Sequence, residues 1–314
     1  MKPYVKTPKA NADLAVLLQG RGLVADPAKL LRILETVGYY RFSGYLHPFK
    51  LRNSEAYRLN TTLETVWDIY MFDRHLRLMT MDALARIEIA VRAITTRCHT
   101  DFIGDPFAYV NPSNMPKLSP AKHSGLLARI ADSTHKASND PKIRHLATEY
   151  GITDYPPIWT MMEIVPLGTV TFYYHGLPDD VQKAIADTFH VRPNVFGQWL
   201  MALKNARNIC AHHSRLWNFH IVAPFTKRIG RDPRLAPFVE CLDRQPSFTY
   251  TTTFTVLSLC AYCMGIIRPE SEWKNRCRAL LKTATPFVLR GMGAPADWES
   301  LALWQQPQPA VSAP

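Results

Sequence analysis

A chain of 314 residues, 47% hydrophobic and 20% charged, is long and apolar enough to bury a sizeable core, which excludes a disordered segment or an isolated binding peptide. With 37 Lys and Arg against 26 Asp and Glu, the formal net charge is +11, so the favoured partner class is a polyanion: RNA, DNA or an anionic membrane surface. The longest apolar run, Phe254 to Ile267, is too short to span a bilayer, and MKPYVKTPKANADL has no apolar leader, so a cytoplasmic protein with no membrane partner is expected.

Helical periodicity dominates, and strand-like alternation is rare. Asp26-Pro27, Ser119-Pro120 and Asp140-Pro141 each pair a capping residue with proline at a first helical position. Thr61, spaced from Glu64 as in a capping box, opens the clearest element, which runs from about Leu63 to Cys98 without Pro or Gly. Along it Val66, Ile69, Tyr70, Leu76, Met79, Leu84, Ile87 and Val91 recur at spacings of three and four, which makes one apolar stripe. Residues 104–157 are richer in Pro, Asn, Ser and Asp and read as an insertion carrying two modest helices, near Lys122 to Asp132 and Pro141 to Tyr150. Further helices are expected over Ile158 to His175, Asp179 to Phe189 and, opened by Pro193, Val195 to Ala211. Three more follow, near Leu235 to Arg244, Thr252 to Ile267 and Glu270 to Thr283, before a Pro/Gln/Ala tail at 306–314 that reads as disordered.

The fold class is therefore all-α. Residues 1–305 read as a single helical domain, with its core at about 60–103 plus 158–220 and an insertion at about 104–157. The six cysteines lie in mostly apolar surroundings and read as reduced core thiols. Cys260 and Cys263 have half-site spacing, but no second pair completes a metal site. No Gly-rich phosphate loop or hydrolase elbow is present, and no cofactor or metal is expected.

The chemistry concentrates in RNICAHHSRLWN at the end of the Pro193 helix. An Arg followed a few residues later by His is a weak signal, since Arg41 to His47, Arg92 to His99, Arg129 to His135 and Arg215 to His220 also satisfy it. Arg207 differs in standing with Asn208, His212 and His213 at the end of a helix whose Phe196, Trp199, Leu200 and Leu203 form an apolar face. These residue types suit cleavage of RNA through its own 2′-hydroxyl. Histidine titrates near neutrality and moves protons. Arginine offers a permanently charged fork to a phosphate that gains charge in the transition state. Asparagine orients either group by hydrogen bonds. At about 100° per residue Asn208 and His212 share a face, whereas Arg207 sits roughly 140° from His212. Either the long guanidinium closes that gap or two copies of the motif meet in a homodimer. The competing reading is an ordinary helix end at which basic side chains satisfy terminal carbonyls.

Five ordered blocks resemble the Abi family of abortive-infection proteins, AbiD/AbiF type: KPYVKTP near the N-terminus, GYYRFSGYLHPF at Gly38 to Phe49, VWDIYMFDRHLR at Val66 to Arg77, ALARIEIAVR at Ala83 to Arg92, and LKNARNICAHHSRLWN at Leu203 to Asn218. The resemblance implies a helical bundle of the HEPN type and a metal-independent endoribonuclease acting in phage defence or as a toxin. It also implies RNA as substrate, a small noncoding RNA as a second partner, and Arg207, Asn208 and His212 as the catalytic set. The alternative is a non-catalytic protein that holds a noncoding RNA.

Four residues are supporting candidates. Glu88 and Arg92, four apart on one helix, either form an ordinary intrahelical ion pair or place Glu88 to orient the catalytic Arg or His. Asp73 and Arg77 invite the same pair of readings. His213 and Arg215 either touch RNA phosphate or hold the following loop. Trp217 reads as core, and the aromatic cluster at Gly38 to Phe49 as packing, with a single-stranded RNA surface as the alternative.

Overall fold

A computed structural model describes residues 3, 5, 7–220, 229, 232–245 and 252–305. Among these, fourteen α-helices and several short 3-10 turns account for the regular structure. Among the described residues extended pairing is limited to the isolated bridges Val24–Thr62 and Lys50–Tyr57, so the all-α expectation holds. The chain divides into two compact units, residues 1–76 and 77–314.

The first unit contains α1 (Asn11–Gly20), α2 (Pro27–Thr36), α3 (Tyr39–Leu46) and the opening of α4 (Leu63–Ile103), from Leu63 to Leu76. Asp26 caps α2 by accepting the Lys29 amide at 2.7 Å, with Pro27 at the first position. The α4 cap falls one residue later than the expected Thr61. Thr62 Oγ1 accepts the Thr65 amide at 3.2 Å, while the Thr61 hydroxyl donates backward to Arg58 O at 2.7 Å. Phe42 and Tyr45 of the aromatic cluster are buried, and Tyr45 donates its phenol to buried Asp73 at 2.5 Å. Tyr40 alone of this cluster is almost fully exposed.

In the second unit α4 continues from Arg77 to Ile103, five residues beyond Cys98. Then come α5 (Pro120–Lys136), α6 (Pro141–Tyr150), α7 (Ile158–Ile164), α8 (Leu167–Gly176), α9 (Asp179–Asp187) and α10 (Pro193–Ala211). They are followed by α11 (Ala236–Asp243), α12 (Thr253–Ile267), α13 (Trp273–Lys282) and α14 (Pro286–Gly291). The helix expected over Ile158 to His175 is two helices. Pro166 has no amide to donate, and α7 ends before it while α8 begins after it. Within residues 104–157, α5 packs on α7 and α8 and buries Leu126 and Ile130. Helix α12, apolar around its whole circumference, is buried without a break from Thr253 to Met264, as such a helix must be.

α10 sits against α8, α9 and α12. Its apolar face, from Val195 through Trp199 and Leu203 to Cys210, is buried, and the Trp199 ring meets Phe238 and Tyr262 edge-on. This packing fixes the helix that ends in the candidate site. All six cysteines are buried and no disulfide occurs among the described residues. Burial pushes the thiols of Cys260 and Cys263 well above the ordinary range and that of Cys241 up to about 12, as core thiols require. The expected tail at 306–314, and Lys2, Tyr4 and Lys6 of the KPYVKTP block, lie outside the described residues.

Candidate active site at the end of α10

Arg207 and Asn208 occupy the last turn of α10, and His212 is its C-cap. The chain leaves the helix through a Schellman turn. His213 adopts a left-handed conformation with φ of 54°, its amide donating to Cys210 O at 3.1 Å while the Ser214 amide donates to Ile209 O at 2.9 Å. Glycine usually takes that position. Histidine tolerates it better than most residues, at a cost in backbone strain.

The turn turns Asn208 and His212 outward. Both are exposed, and neither side chain makes a hydrogen bond or ion pair among the described residues. They are joined only through the backbone, the His212 amide donating to Asn208 O at 3.0 Å. His213 is exposed and Arg215 half-buried just beyond. Leu216 and Trp217 return the chain to the interior, Trp217 lying against Phe287 and over Gly291. The sequence reading of Trp217 as core therefore holds.

Arg207 is held from α4. Its Nε lies 3.7 Å from Glu88 Oε2, and the other oxygen of Glu88 accepts from Arg92 Nη2. The Glu88 and Arg92 side chains are 14% and 12% exposed, whereas Arg207 keeps 40%, so the cation open to a ligand is Arg207. Arg92 is committed elsewhere as well. Its Nη1 donates to Met162 O, the carbonyl left without an amide by Pro166 four residues on, and, at 2.9 Å, to Val165 O at the corner between α7 and α8. One carboxylate between two guanidinium groups leaves a unit of positive charge at the site. Glu88 and Arg92 thus form the intrahelical pair expected and also reach across, Glu88 to Arg207 and Arg92 to the α7–α8 corner. No hydrogen bond links the Arg207 and His212 side chains.

Lys204 escaped the sequence reading, although it stands one turn before Asn208 on the same face of α10. Its stem passes over Gly168 at the start of α8. Its ammonium has no oxygen partner among the described residues and donates to Met201 Sδ at 3.7 Å. Among the described residues the other half-buried lysines, Lys50 and Lys274, both donate to oxygen. Lys204 and Arg207, three residues apart, are like charges that repel in isolation. Among the described residues no cluster of three His, Cys, Asp or Glu side chains is arranged to hold a metal ion.

A family model described as Abi-like protein matches residues 32–218, more than half of the chain. The chain belongs to the Abi-like family. The seven candidate site residues, Glu88, Arg92, Arg207, Asn208, His212, His213 and Arg215, fall inside the Abi-like span, as do four of the five blocks, KPYVKTP lying ahead of it. No curated protein and no solved structure matches the chain. No helix among the described residues is long and apolar enough to cross a membrane.

Proposed function

We propose that this Abi-like protein is a metal-independent endoribonuclease of the HEPN type, acting in abortive infection or as a toxin. The observation that carries the reading is the end of α10: a half-open Arg207 braced by Glu88, with unengaged Asn208 and His212 one turn apart beside it. Arg207 stabilises charge on the scissile phosphate, His212 transfers protons between the 2′-hydroxyl and the leaving 5′-oxygen, and Asn208 orients the reacting groups. Lys204 adds a second cation for a neighbouring phosphate. The products are a 2′,3′-cyclic phosphate and a 5′-hydroxyl. The site is shared between two copies in a homodimer, because Arg207 and His212 diverge around the helix and make no bond to one another.

The test is incubation of the purified protein with labelled RNA in EDTA. Cleavage that survives the chelator and is lost in His212→Ala, with RNA binding intact, is the expected result. Binding without cleavage sinks the enzyme and leaves a protein that holds RNA. For the shared site, Arg207→Ala and His212→Ala chains are mixed. Each is inactive alone, and the mixture regains a fraction of wild-type activity; a mixture as dead as its components places the whole site in one chain.

A further inference from the structure

The C-terminal helices of the second unit, with His190, line a half-open hollow of about 340 Å³ that the ribonuclease chemistry does not use. Its floor is apolar, with Ala261 and Met264 of α12 buried and Ile266 and Leu303 along the wall. Its charged lining has one sign. Arg234, Arg268 and Lys274 line it, together with His190 and Ser271, and among the described residues no carboxylate does.

Two of these cations are balanced by acids outside the cavity. Arg234 donates Nε and Nη2 to Asp232 at 2.9 and 2.6 Å, and Arg268 donates Nη1 to Glu270 at 3.1 Å, each keeping further N–H groups. Lys274 has no such balance. Half-buried, it donates to the Gln305 carbonyl at 3.1 Å and has no carboxylate partner among the described residues. Burial, and then the charge of Arg278, hold its ammonium below the ordinary lysine range. A desolvated cation without a counter-ion weakens the fold. Such a group beside a one-signed, partly apolar hollow makes that hollow a candidate ligand site.

We propose that this cavity binds a small organic phosphate, a phosphate monoester carried on an apolar or ring-shaped body about the size of a nucleoside. A lining rich in donors suits a group whose oxygens only accept, and several donors suit phosphate better than a single carboxylate. Lys274 supplies the point charge, the arginines supply remaining N–H groups, and Met264, Ile266 and Leu303 hold the body. The site is independent of the ribonuclease reading.

The experiment follows thermal unfolding of the full chain with adenosine 5′-monophosphate, inorganic phosphate or adenosine. The nucleotide is expected to raise Tm by about 2–4 °C, phosphate by less, and adenosine hardly at all. Lys274→Met, which keeps the stem, melts at or above wild type without ligand and loses the shift. Leu303→Trp, which fills the hollow and leaves every cation in place, loses the nucleotide shift too and covers the case in which Lys274→Met does not fold. Absence of a shift with both nucleotide and phosphate overturns the proposal, and so does an equal shift with adenosine or one that persists in either variant.

Discussion

Among single residues, Glu88 and Lys204 separate positioning from binding. Glu88 touches no substrate in the proposed scheme and acts through Arg207. Glu88→Gln leaves two guanidinium groups without a counter-charge, so a loss of about 1–3 kcal/mol in stability is expected with a fall in cleavage. The fall appears mainly in kcat, since a misaimed Arg207 stabilises the transition state less; an unchanged kcat would reduce Glu88 to a structural ion pair. Lys204→Gln behaves differently. It weakens RNA binding across sequences and lowers the slope of log affinity against log salt by about 1, while thermal stability stays near wild type. An unaltered slope removes Lys204 from the interface. Glu88–Arg92 pairing was legible because i, i+4 spacing is visible in a sequence. The grip of Arg92 on Met162 O and Val165 O was not, because backbone carbonyls carry no residue signature.

At the level of elements, helices with punctuation were legible and those without it were less so. Pro193 marked the start of α10, and its end at Ala211 fell where expected. Thr61 and Thr62 are chemically alike, and only geometry chose Thr62 as the cap of α4. Pro166 was the visible signal for the α7–α8 break, overridden by apolar periodicity on both sides. Helix α1 drew no expectation because its Leu14 to Leu18 run is apolar on more than one face, and α14 is too short for a period to show. The terminal turn of α10 carries a test of its own. His213→Gly keeps the Schellman turn, whereas His213→Val forces a β-branched residue to φ of 54° and costs about 1–2 kcal/mol, readable as a lower Tm. At the other contact of this segment, a Cβ on Gly291 would stand 2.1 Å from the Trp217 ring. Gly291→Ala is therefore expected to destabilise by about 1–3 kcal/mol in urea unfolding.

For the molecule as a whole, stability depends on pH through a histidine far from the chemistry. His99 of α4 is fully buried, its Nδ1 2.7 Å from the Tyr173 hydroxyl, and burial pushes its pKa below the usual imidazole value. The unfolded chain therefore takes up this proton more readily than the folded one. The stabilisation is fully present above about pH 6.5 and is lost as pH falls from there through the depressed folded value. Melts at pH 7.5 and 5.5 should show the decline, and His99→Asn should flatten it; an equally steep decline in the variant assigns it to other groups. Finally, the bracing of Arg207 bears on how the chain can vary through descent. Arg92 and Arg207 share the one carboxylate of Glu88, so Glu88→Gln strands two charges, whereas Arg92→Met leaves Glu88 and Arg207 as a balanced pair. Across relatives, position 88 is expected to stay acidic wherever position 207 is basic, and a scan of paired substitutions should find Glu88→Gln with Arg92→Met milder than the sum of its parts.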